Sequence, residues 1–373
     1  MTLAIRGVGV VGGFGCGLGA LSAALVSGDR KTQHVQVKTA RGPCEMPAYF
    51  ADTSRLEDFL NKRALRRVDH YSKIALLGAY LALEDAGRLN EDRSRMGIIV
   101  ASGYGPGRAT LAFLDTFIND GDSLSSPTSF SNSVQNAAVA NISTLLSITG
   151  PGLTVSQLEM SVPSALIAAV HWLEEGRVDS VLFGAVDEYN DELGYFWHRF
   201  YGESATADHE MKPFEFDLQT AIPGEGSVFI LLTRADEGLS RYGYIEDIVM
   251  GRCDRSPLTI TDDTLFFIGA DGHKQCGGYY KQYIPEKARL ASYTPVYGSL
   301  PIGPAFDMAI AALSFKQGMI FPSPVGTGRS SADKIIDTAS ALDISRIDCL
   351  KVSGSGDSGL IVLNKRNRET CGR

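Results

Sequence analysis

One stretch, residues 150–176, constrains the fold of this chain more than any other. Leu153 to Leu158 is a short run of apolar residues with Thr and Ser, which predicts a buried strand. Pro163 to Leu173 is almost free of charge and too long for a strand, so it predicts a buried helix. The residues Glu159 to Ser161 then form a sharp turn at the helix N-terminus. Enzymes often place a nucleophile at such a turn, because the helix dipole and unpaired backbone N–H groups meet there.

The composition indicates an ordinary globular protein. Of its 373 residues, 44% are hydrophobic and 21% are charged. The net charge of −8 provides no general basic field, which argues against nucleic acid as the main partner. We expect no membrane span and no signal peptide, because no apolar run is long enough and no basic segment precedes one. The cysteines lack zinc spacing or a CxxC pair, which predicts free thiols in the cytoplasm: Cys16, Cys44, Cys253, Cys276, Cys349 and Cys371.

The segment GPGLTVSQLEMSVPSALIAAV, residues 150–170, resembles the active-site segment of β-ketoacyl-acyl-carrier-protein synthases. In that family the eighth residue after the Pro of the GP pair is the catalytic Cys, and here it is Glu159. A carboxylate cannot accept an acyl group by thioester exchange. The element is therefore built like an active site but lacks the atom that does the chemistry.

The resemblance runs from Leu3 to about Lys365 and implies an α/β, thiolase-like, five-layered αβαβα fold with two pseudo-repeated βα halves. We expect residues 1–240 to form the first half, with the dimer-interface insertions, and residues 241–373 the second, packed as one compact unit. The family's two catalytic histidines lie in "NAHGTxT" and "KxxxGHxxGAAG". Their positions match Asp271 and Leu300. The joint loss of the nucleophile and both histidines indicates that condensation has been abandoned while the scaffold remains.

Two local motifs have alternative interpretations. Residues 7–12, GVGVVG, match the dinucleotide fingerprint GxGxxG, but the glycines begin inside a predicted strand rather than after it. In the ketosynthases that this segment resembles, the glycines serve close packing. Residues 356–359, GDSG, suggest a serine-protease loop, but no histidine has the usual setting, so a Gly-rich hairpin is the better interpretation. His273, two residues after Asp271, is expected at the surface or in a turn.

These losses are typical of a chain-length factor, the silent subunit of a type II ketosynthase heterodimer. The run SFSNSVQNAAVANIS and the short length are most similar to the partner subunit of bacterial aryl polyene ketosynthases. The resemblance therefore implies a Cys-containing ketosynthase subunit and an acyl carrier protein as partners. It implies no resident cofactor, since phosphopantetheine arrives on the carrier protein, and no metal.

The resemblance also implies where the functional surfaces lie. The acyl tunnel and its length-limiting floor would be formed by apolar and aromatic residues: Tyr104, Leu111, Leu114, Phe117 and Phe130. The carrier protein would dock on basic residues at the start of a helix: Lys62, Arg63, Arg66 and Arg67. A solvated helix entrance explains these basic residues equally well.

Two other functions stay open. In the first, Glu159 lies in an apolar pocket and decarboxylates or hydrolyses a thioester without a partner. In the second, the chain forms a homodimer that only binds acyl chains. Copurification with a Cys-containing ketosynthase distinguishes the chain-length factor from both.

Overall fold

The computed structural model describes residues 1–39, 42–121, 126–202, 210–256, 258, 264–285, 287–324 and 334–366. Its strands are β1 (Leu3–Gly12), β2 (Gly15–Cys16), β3 (Thr32–Thr39), β4 (Gly42–Tyr49), β5 (Met96–Ser102), β6 (Gly152–Ser156), β7 (Ser180–Asp187), β8 (Gly226–Arg234), β9 (Tyr244–Arg252), β10 (Leu265–Ile268), β11 (Arg289–Ala291), β12 (Met319–Ile320), β13 (Ser340–Ala341), β14 (Arg346–Val352) and β15 (Asp357–Asn364). Its helices are α1 (Gly17–Ser27), α2 (Lys62–Leu65), α3 (His70–Asp85), α4 (Gly107–Asp120), α5 (Pro127–Ser133), α6 (Ala137–Leu146), α7 (Ser161–Glu174), α8 (Asp191–Tyr201), α9 (Lys274–Tyr283), α10 (Thr294–Tyr297) and α11 (Gly303–Gln317).

The main sheet consists of two halves with the same topology. Its order is β11-β10-β14-β15-β9-β1-β8-β7-β5-β6, with β2 beside β1. The five strands of each half can be numbered 1 to 5 in chain order: β1, β5, β6, β7 and β8 in the first half, and β9, β10, β11, β14 and β15 in the second. Both halves then have the spatial order 3-2-4-5-1. The first two of these pairings are parallel and the last two are antiparallel in both halves. The halves meet where β9 pairs with β1 through only Leu3–Ile245 and Ala4–Tyr244.

The side chains of the sheet divide the core into separate layers. Ile99 and Ala101 of β5 face a central cluster with α7 and α11, while Ile98 and Val100 face an outer cluster with α3 and α6. This alternation follows from the two-residue period of a strand. On the far side of the second half, α9 packs on β10, β14 and β15. The layers are thus helix, sheet, helix, sheet, helix, as the resemblance to the thiolase fold implied.

The glycines of the GxGxxG match lie where β1 packs against α3. A Cβ atom at Gly9 would lie 2.1 Å from the backbone oxygen of Gly78, and one at Gly7 would lie 2.4 Å from that of Ala82. Only glycine allows this approach of strand and helix. The motif therefore serves close packing of β1 on α3 rather than dinucleotide binding.

The buried helix is confirmed as α7, but the strand before it is not buried: β6 is an edge strand that pairs with β5 alone in the described part of the sheet. Residues 356–359 belong to the β14–β15 hairpin as expected, and the Ser358 hydroxyl lies 3.1 Å from the Tyr283 hydroxyl rather than beside a histidine. No helix within the described ranges is long and apolar enough to cross a membrane. The described cysteines are free, and Cys371 lies outside the described residues.

Candidate functional site

The site begins at the turn that connects β6 to α7. A 3₁₀-helical turn, Leu158–Met160, fills the gap, and Leu158 adopts a positive φ of 47°. For a residue with a side chain this conformation costs about 1–3 kcal/mol, so the surroundings must hold it. The buried Ser161 hydroxyl does so: it accepts a hydrogen bond from Gln157 N (2.7 Å) and donates to Ser102 O (2.9 Å). The turn is therefore fixed against the end of β5.

Glu159 lies in this turn with its side chain partly exposed. Its carboxylate is close enough to Tyr104 and Tyr201 to add to the rise in their pKa, of which burial is the main cause. It also contributes to the raised pKa of Lys351. The helix N-terminus favours a negative charge at this position. The carboxylate of Glu159 thus interacts electrostatically with residues from three other segments of the chain.

Asp271 is locked in a buried ion pair. Its Oδ2 atom lies 2.8 Å from Nζ of Lys351, and the side chains are only 6% and 2% exposed. The Lys351 ammonium also donates to Gly269 O at 3.0 Å. Burial alone would raise the pKa of Asp271, but Lys351 and its neighbours hold that pKa below the usual value. Burial would likewise lower the pKa of Lys351, yet Asp271 keeps it raised, so both groups stay charged.

Leu300 lies in a loop that contacts the polar cluster formed by Asp271, Lys351 and Ser299. Its side chain is buried in the central core, so this position supplies no proton donor or acceptor. The neighbouring Ser299 hydroxyl donates to Oδ2 of Asp271 at 2.8 Å. On the other side, a Cβ atom at Gly103 would lie 2.3 Å from Pro301, so the turn after β5 packs directly on this loop. The structure thus brings the loops of Asp271 and Leu300 together beside the turn after β5.

The sequence predicted His273 at the surface or in a turn, and the structure places it at the N-cap of α9 with a partly buried side chain. Its ring packs against Trp197 and Tyr201, with centroids 4.8 and 4.9 Å apart, and its Nδ1 lies 3.3 Å from Nε2 of Gln219. Burial lowers the pKa of His273, although the Asp271 carboxylate opposes this effect. A neutral imidazole among aromatic rings has a packing role, and it lies at the start of α9 rather than at either histidine position of the family pattern.

A cavity of about 150 Å³ lies beside the cluster. It is lined by the β3–β4 hairpin, by α8 and by the loop before β8: Cys44, Glu45, Met46, Pro47, Trp197, His198, Tyr201, Gly202, Gln219, Thr220, Ala221, Ile222 and Pro223. Tyr201 and Gln219 both line this cavity and contact His273. The cavity therefore lies next to the residues that pack around His273, on the side of α8.

The predicted tunnel residues fall into two groups. Tyr104 lies at the cluster itself, where its backbone N–H donates to Oδ1 of Asp187 at 2.8 Å. The others lie on α4 and α5, which pack against each other through Phe113 and Phe130 (ring centroids 5.3 Å apart). In α4 no side chain is fully buried, and Leu114 and Phe117 are about half exposed. The apolar face of α4 is thus uncovered in a single chain.

The predicted docking residues form an exposed basic group at α2. Lys62, Arg63, Arg66 and Arg67 are all exposed, and Lys62 forms an ion pair with Glu57 at 3.5 Å. Their side chains point to solvent rather than to the cluster around Asp271. Within the described ranges, no group of three or more His, Cys, Asp or Glu side chains is arranged to hold a metal ion.

Sequence reasoning missed Lys351 and Ser299, the two partners of Asp271. One signal for Lys351 was available: it is a single lysine within RIDCLKV, a strand that is otherwise buried, and such a lysine needs a partner. Nothing local marked Ser299, because its role depends on a contact with a residue 28 positions away.

The comparisons with known proteins agree with this architecture. Residues 4–238 match the family profile described as the β-ketoacyl synthase N-terminal domain. The chain is 24% identical over 264 residues to 3-oxoacyl-[acyl-carrier-protein] synthase 2 of Rhizobium meliloti (strain 1021), covering 66% of this chain and 62% of the relative. It is 26% identical over 222 residues to a putative polyketide β-ketoacyl synthase 1 of Streptomyces virginiae, covering 55% and 51%. The chain thus spans about half to three fifths of the length of these curated relatives.

Solved structures match over almost the full length. The ishigamide ketosynthase/chain length factor superposes with a TM-score of 0.78 at 16% identity, covering 98% of this chain and 99% of that one. A type II polyketide synthase acyl-carrier protein in complex with its ketosynthase, bound to the hexaketide, gives a TM-score of 0.76 at 15% identity, with the same two coverages of 98% and 99%. At such identities the structures establish the fold, and the profile match over residues 4–238 establishes the family. The chain therefore belongs to the β-ketoacyl synthase family and adopts its thiolase-like fold.

Proposed function

We propose that this chain is a catalytically silent chain-length factor that pairs with a Cys-containing ketosynthase and completes its acyl tunnel. One observation carries the proposal: none of the three reactive positions retains its chemistry. Glu159 replaces the nucleophile, Asp271 is held in an ion pair with Lys351, and Leu300 is part of the core. A condensing enzyme needs a thiolate to carry the acyl group and a proton donor or acceptor beside it.

Two exposed features support a partner subunit. In the described part of the sheet β6 is an edge strand, and natural proteins cover or block such edges. On α4 and α5, the apolar side chains of Leu114, Phe117 and Phe130 are 42%, 48% and 55% exposed. A face of this kind marks an interaction site. The partner we propose is the ketosynthase subunit, whose tunnel wall would be completed by Tyr104, Leu111 and these three residues.

The exposed basic group at α2 supports docking of an acidic carrier protein. Four cations close together steer an anionic partner and give contacts that weaken with salt. In this proposal the carrier brings phosphopantetheine, and the chain itself needs no resident cofactor. Aryl polyenes are the product class that the sequence resemblance suggests for the complex.

A thioester hydrolase or decarboxylase that uses Glu159 is less well supported. The histidine closest to the cluster, His273, is held among aromatic rings and bonded to Gln219. The one buried cation nearby that the structure describes, Lys351, is already engaged by Asp271 and Gly269. A carboxylate without an acid or base partner is a weak catalyst.

Reconstitution tests the proposal. The chain is assayed with malonyl- and acyl-carrier protein, first alone and then with a cognate ketosynthase that has been coexpressed with it. We expect no elongated product from the chain alone, a 1:1 complex on gel filtration, and elongation by the complex. Elongation by the chain alone refutes the silent role. A soluble homodimer that binds acyl chains but does not associate with any ketosynthase refutes the pairing and favours the acyl-binding alternative.

A further inference from the structure

The helix α4 is held in an unusual way. It is a 14-residue helix in which no side chain is fully buried, so apolar packing within this chain fixes it weakly. Most surface helices are oriented by a buried apolar stripe, whereas the apolar stripe of α4 faces outward. Apart from its packing on α5 through Phe113 and Phe130, its placement within this chain therefore depends on polar contacts in its first turn.

Those contacts are concentrated on Arg108, in the first turn of α4. The backbone N–H of Arg108 donates to Oε1 of Glu188 at 2.8 Å, and its Nε donates to Tyr189 O at 2.6 Å. Its Nη2 donates to Oε2 of Glu225 at 3.2 Å. The guanidinium group thus bridges two elements, the end of β7 and the residue just before β8. A planar guanidinium group that donates two hydrogen bonds in this way, here called the fork, fixes the orientation of the side chain as well as supplying a charge.

The acceptors of Arg108 are themselves rigid. Glu225 is 1% exposed, and its two oxygens also accept from Ala51 N at 3.1 Å and Tyr189 N at 3.1 Å. His70, at the start of α3, lies 2.9 Å from Oε1 of the same carboxylate. Glu225 is therefore positioned by three separate segments before Arg108 reaches it. The helix end is anchored to the sheet and not to a mobile side chain.

Steric contacts at the same end of α4 reinforce the anchor. A Cβ atom at Gly107 would lie 2.2 Å from the amide nitrogen of Asn190, so the first residue of the helix is pressed against the segment after β7. In addition, Oε2 of Glu188 is buried without a hydrogen bond and lies 3.9 Å from Nε of Arg108. Loss of the guanidinium would leave two buried carboxylates without their arginine partner.

We propose that Arg108, clamped between Glu188 and Glu225, is a positioning residue that sets the direction of α4 and thereby the length of the product. This inference rests on the proposed function for its effect on product, but the clamp itself does not. Arg108 touches no reacting atom in this scheme. It acts by holding the helix that carries Leu111, Leu114 and Phe117, the residues proposed as the tunnel floor.

The test compares three variants in the full-length complex with the ketosynthase. Arg108→Gln removes the charge and the fork, and Arg108→Lys keeps the charge without the fork. Arg95→Gln is the matched control, because it removes the exposed two-bond pair of Arg95 with Asp179 (2.8 and 2.9 Å) at the opposite end of β5. Hydrogen exchange of residues 107–120, the melting temperature and the carrier-bound product lengths are measured for each.

We expect Arg108→Gln to speed exchange in residues 107–120 roughly 10-fold, as loss of one charge-assisted hydrogen bond would, and to broaden the product distribution. Arg108→Lys should restore the melting temperature but not the exchange or the product distribution. Arg95→Gln should change neither.

The clamp is refuted if Arg108→Gln leaves the exchange of α4 unchanged, or if Arg108→Lys restores it fully, since charge alone would then suffice. Faster exchange with an unaltered product distribution refutes the link to product length. If the wild-type complex makes no elongated product, the proposed function fails, while the exchange data still decide whether the clamp exists. Should Arg108→Gln not fold, Arg108→Lys alone decides both points.

Discussion

Replacement of Lys351 by Met should reveal how much the site depends on the ion pair with Asp271. Both side chains are at least 94% buried and their charged atoms lie 2.8 Å apart. Removal of one partner of a buried pair leaves an uncompensated charge, which typically costs about 3–5 kcal/mol. The variant should also leave Gly269 O without the donor that it has at 3.0 Å. We therefore expect a loss of unfolding free energy at the upper end of this range at pH 8.

The loss of unfolding free energy in Lys351→Met should also depend on pH in a defined direction. In the wild type the pKa of Asp271 is lowered, so its stabilisation is present above the ordinary value of 3.8 and is lost only below it. In Lys351→Met, Ser299 and His273 still oppose burial, but burial is the larger effect and raises that pKa, so the variant regains stability as the pH falls from 8 to 5. The difference between variant and wild type should shrink over that interval.

A double-mutant cycle completes the test. Asp271→Asn keeps an acceptor for the Ser299 hydroxyl, and the double variant Lys351→Met/Asp271→Asn carries no buried charge at either position. Denaturant unfolding of all four proteins should give a coupling energy of about 2–4 kcal/mol, with the double variant more stable than Lys351→Met. The ketosynthase complex of the double variant should keep its product output within a few-fold. A coupling energy near zero, or a loss independent of pH, would show that the pair is not a buried, charged unit.

Three further predictions concern the site and its surroundings. Glu159→Gln should leave turnover by the heterodimer within a few-fold, since no acid or base among the described residues is engaged with it; a loss of about 10²-fold, typical of general acid–base groups, would assign it chemistry. Leu114→Trp should shorten the product and Phe117→Ala should lengthen it, because each methylene beyond an apolar floor costs about 0.8 kcal/mol of burial; mass spectrometry of carrier-bound chains that shows parental lengths in both would place the floor elsewhere. Burial raises the pKa of Asp307 to about 7, so its contribution to stability is full below 3.8 and is lost as the pH rises through 7; unfolding free energy should fall by roughly 1.4 kcal/mol from pH 6 to pH 8 because of this group. Asp307→Asn should abolish that part while keeping an acceptor for Tyr297, and an unchanged pH profile would contradict the assignment.

The sequence was most informative where one local pattern determined one element. A long run without charge predicted α7. The glycines of β1 predicted close packing, which the structure supports because a Cβ atom at Gly9 would lie only 2.1 Å from the backbone oxygen of Gly78. Residues 356–359 were correctly placed in a hairpin. For α7 and the hairpin, the deciding contacts lie within one helix or between two consecutive strands.

The sequence pattern was less informative where the position of a strand in the sheet, or a contact between residues far apart in the sequence, determines the structure. The apolar residues of β6 predicted a buried strand, but an edge position that a second subunit would cover has the same composition. The pairing of Asp271 with Lys351 spans 80 positions, so no local window could show it.

The central layer of α7 and α11 also determines when the protein can fold during synthesis. The inner face of the first half of the sheet, with Phe183 and Ile230, is buried in a cluster to which α11 contributes. That strand set ends at Arg234, and α11 ends at Gln317, which is 83 residues later. At translation rates of about 5–20 residues per second, the nascent chain carries this sheet face without the cover of α11 for roughly 4–17 s, although α7 has already been made. The ribosome-bound first half is thus the stage at which this protein most needs a chaperone.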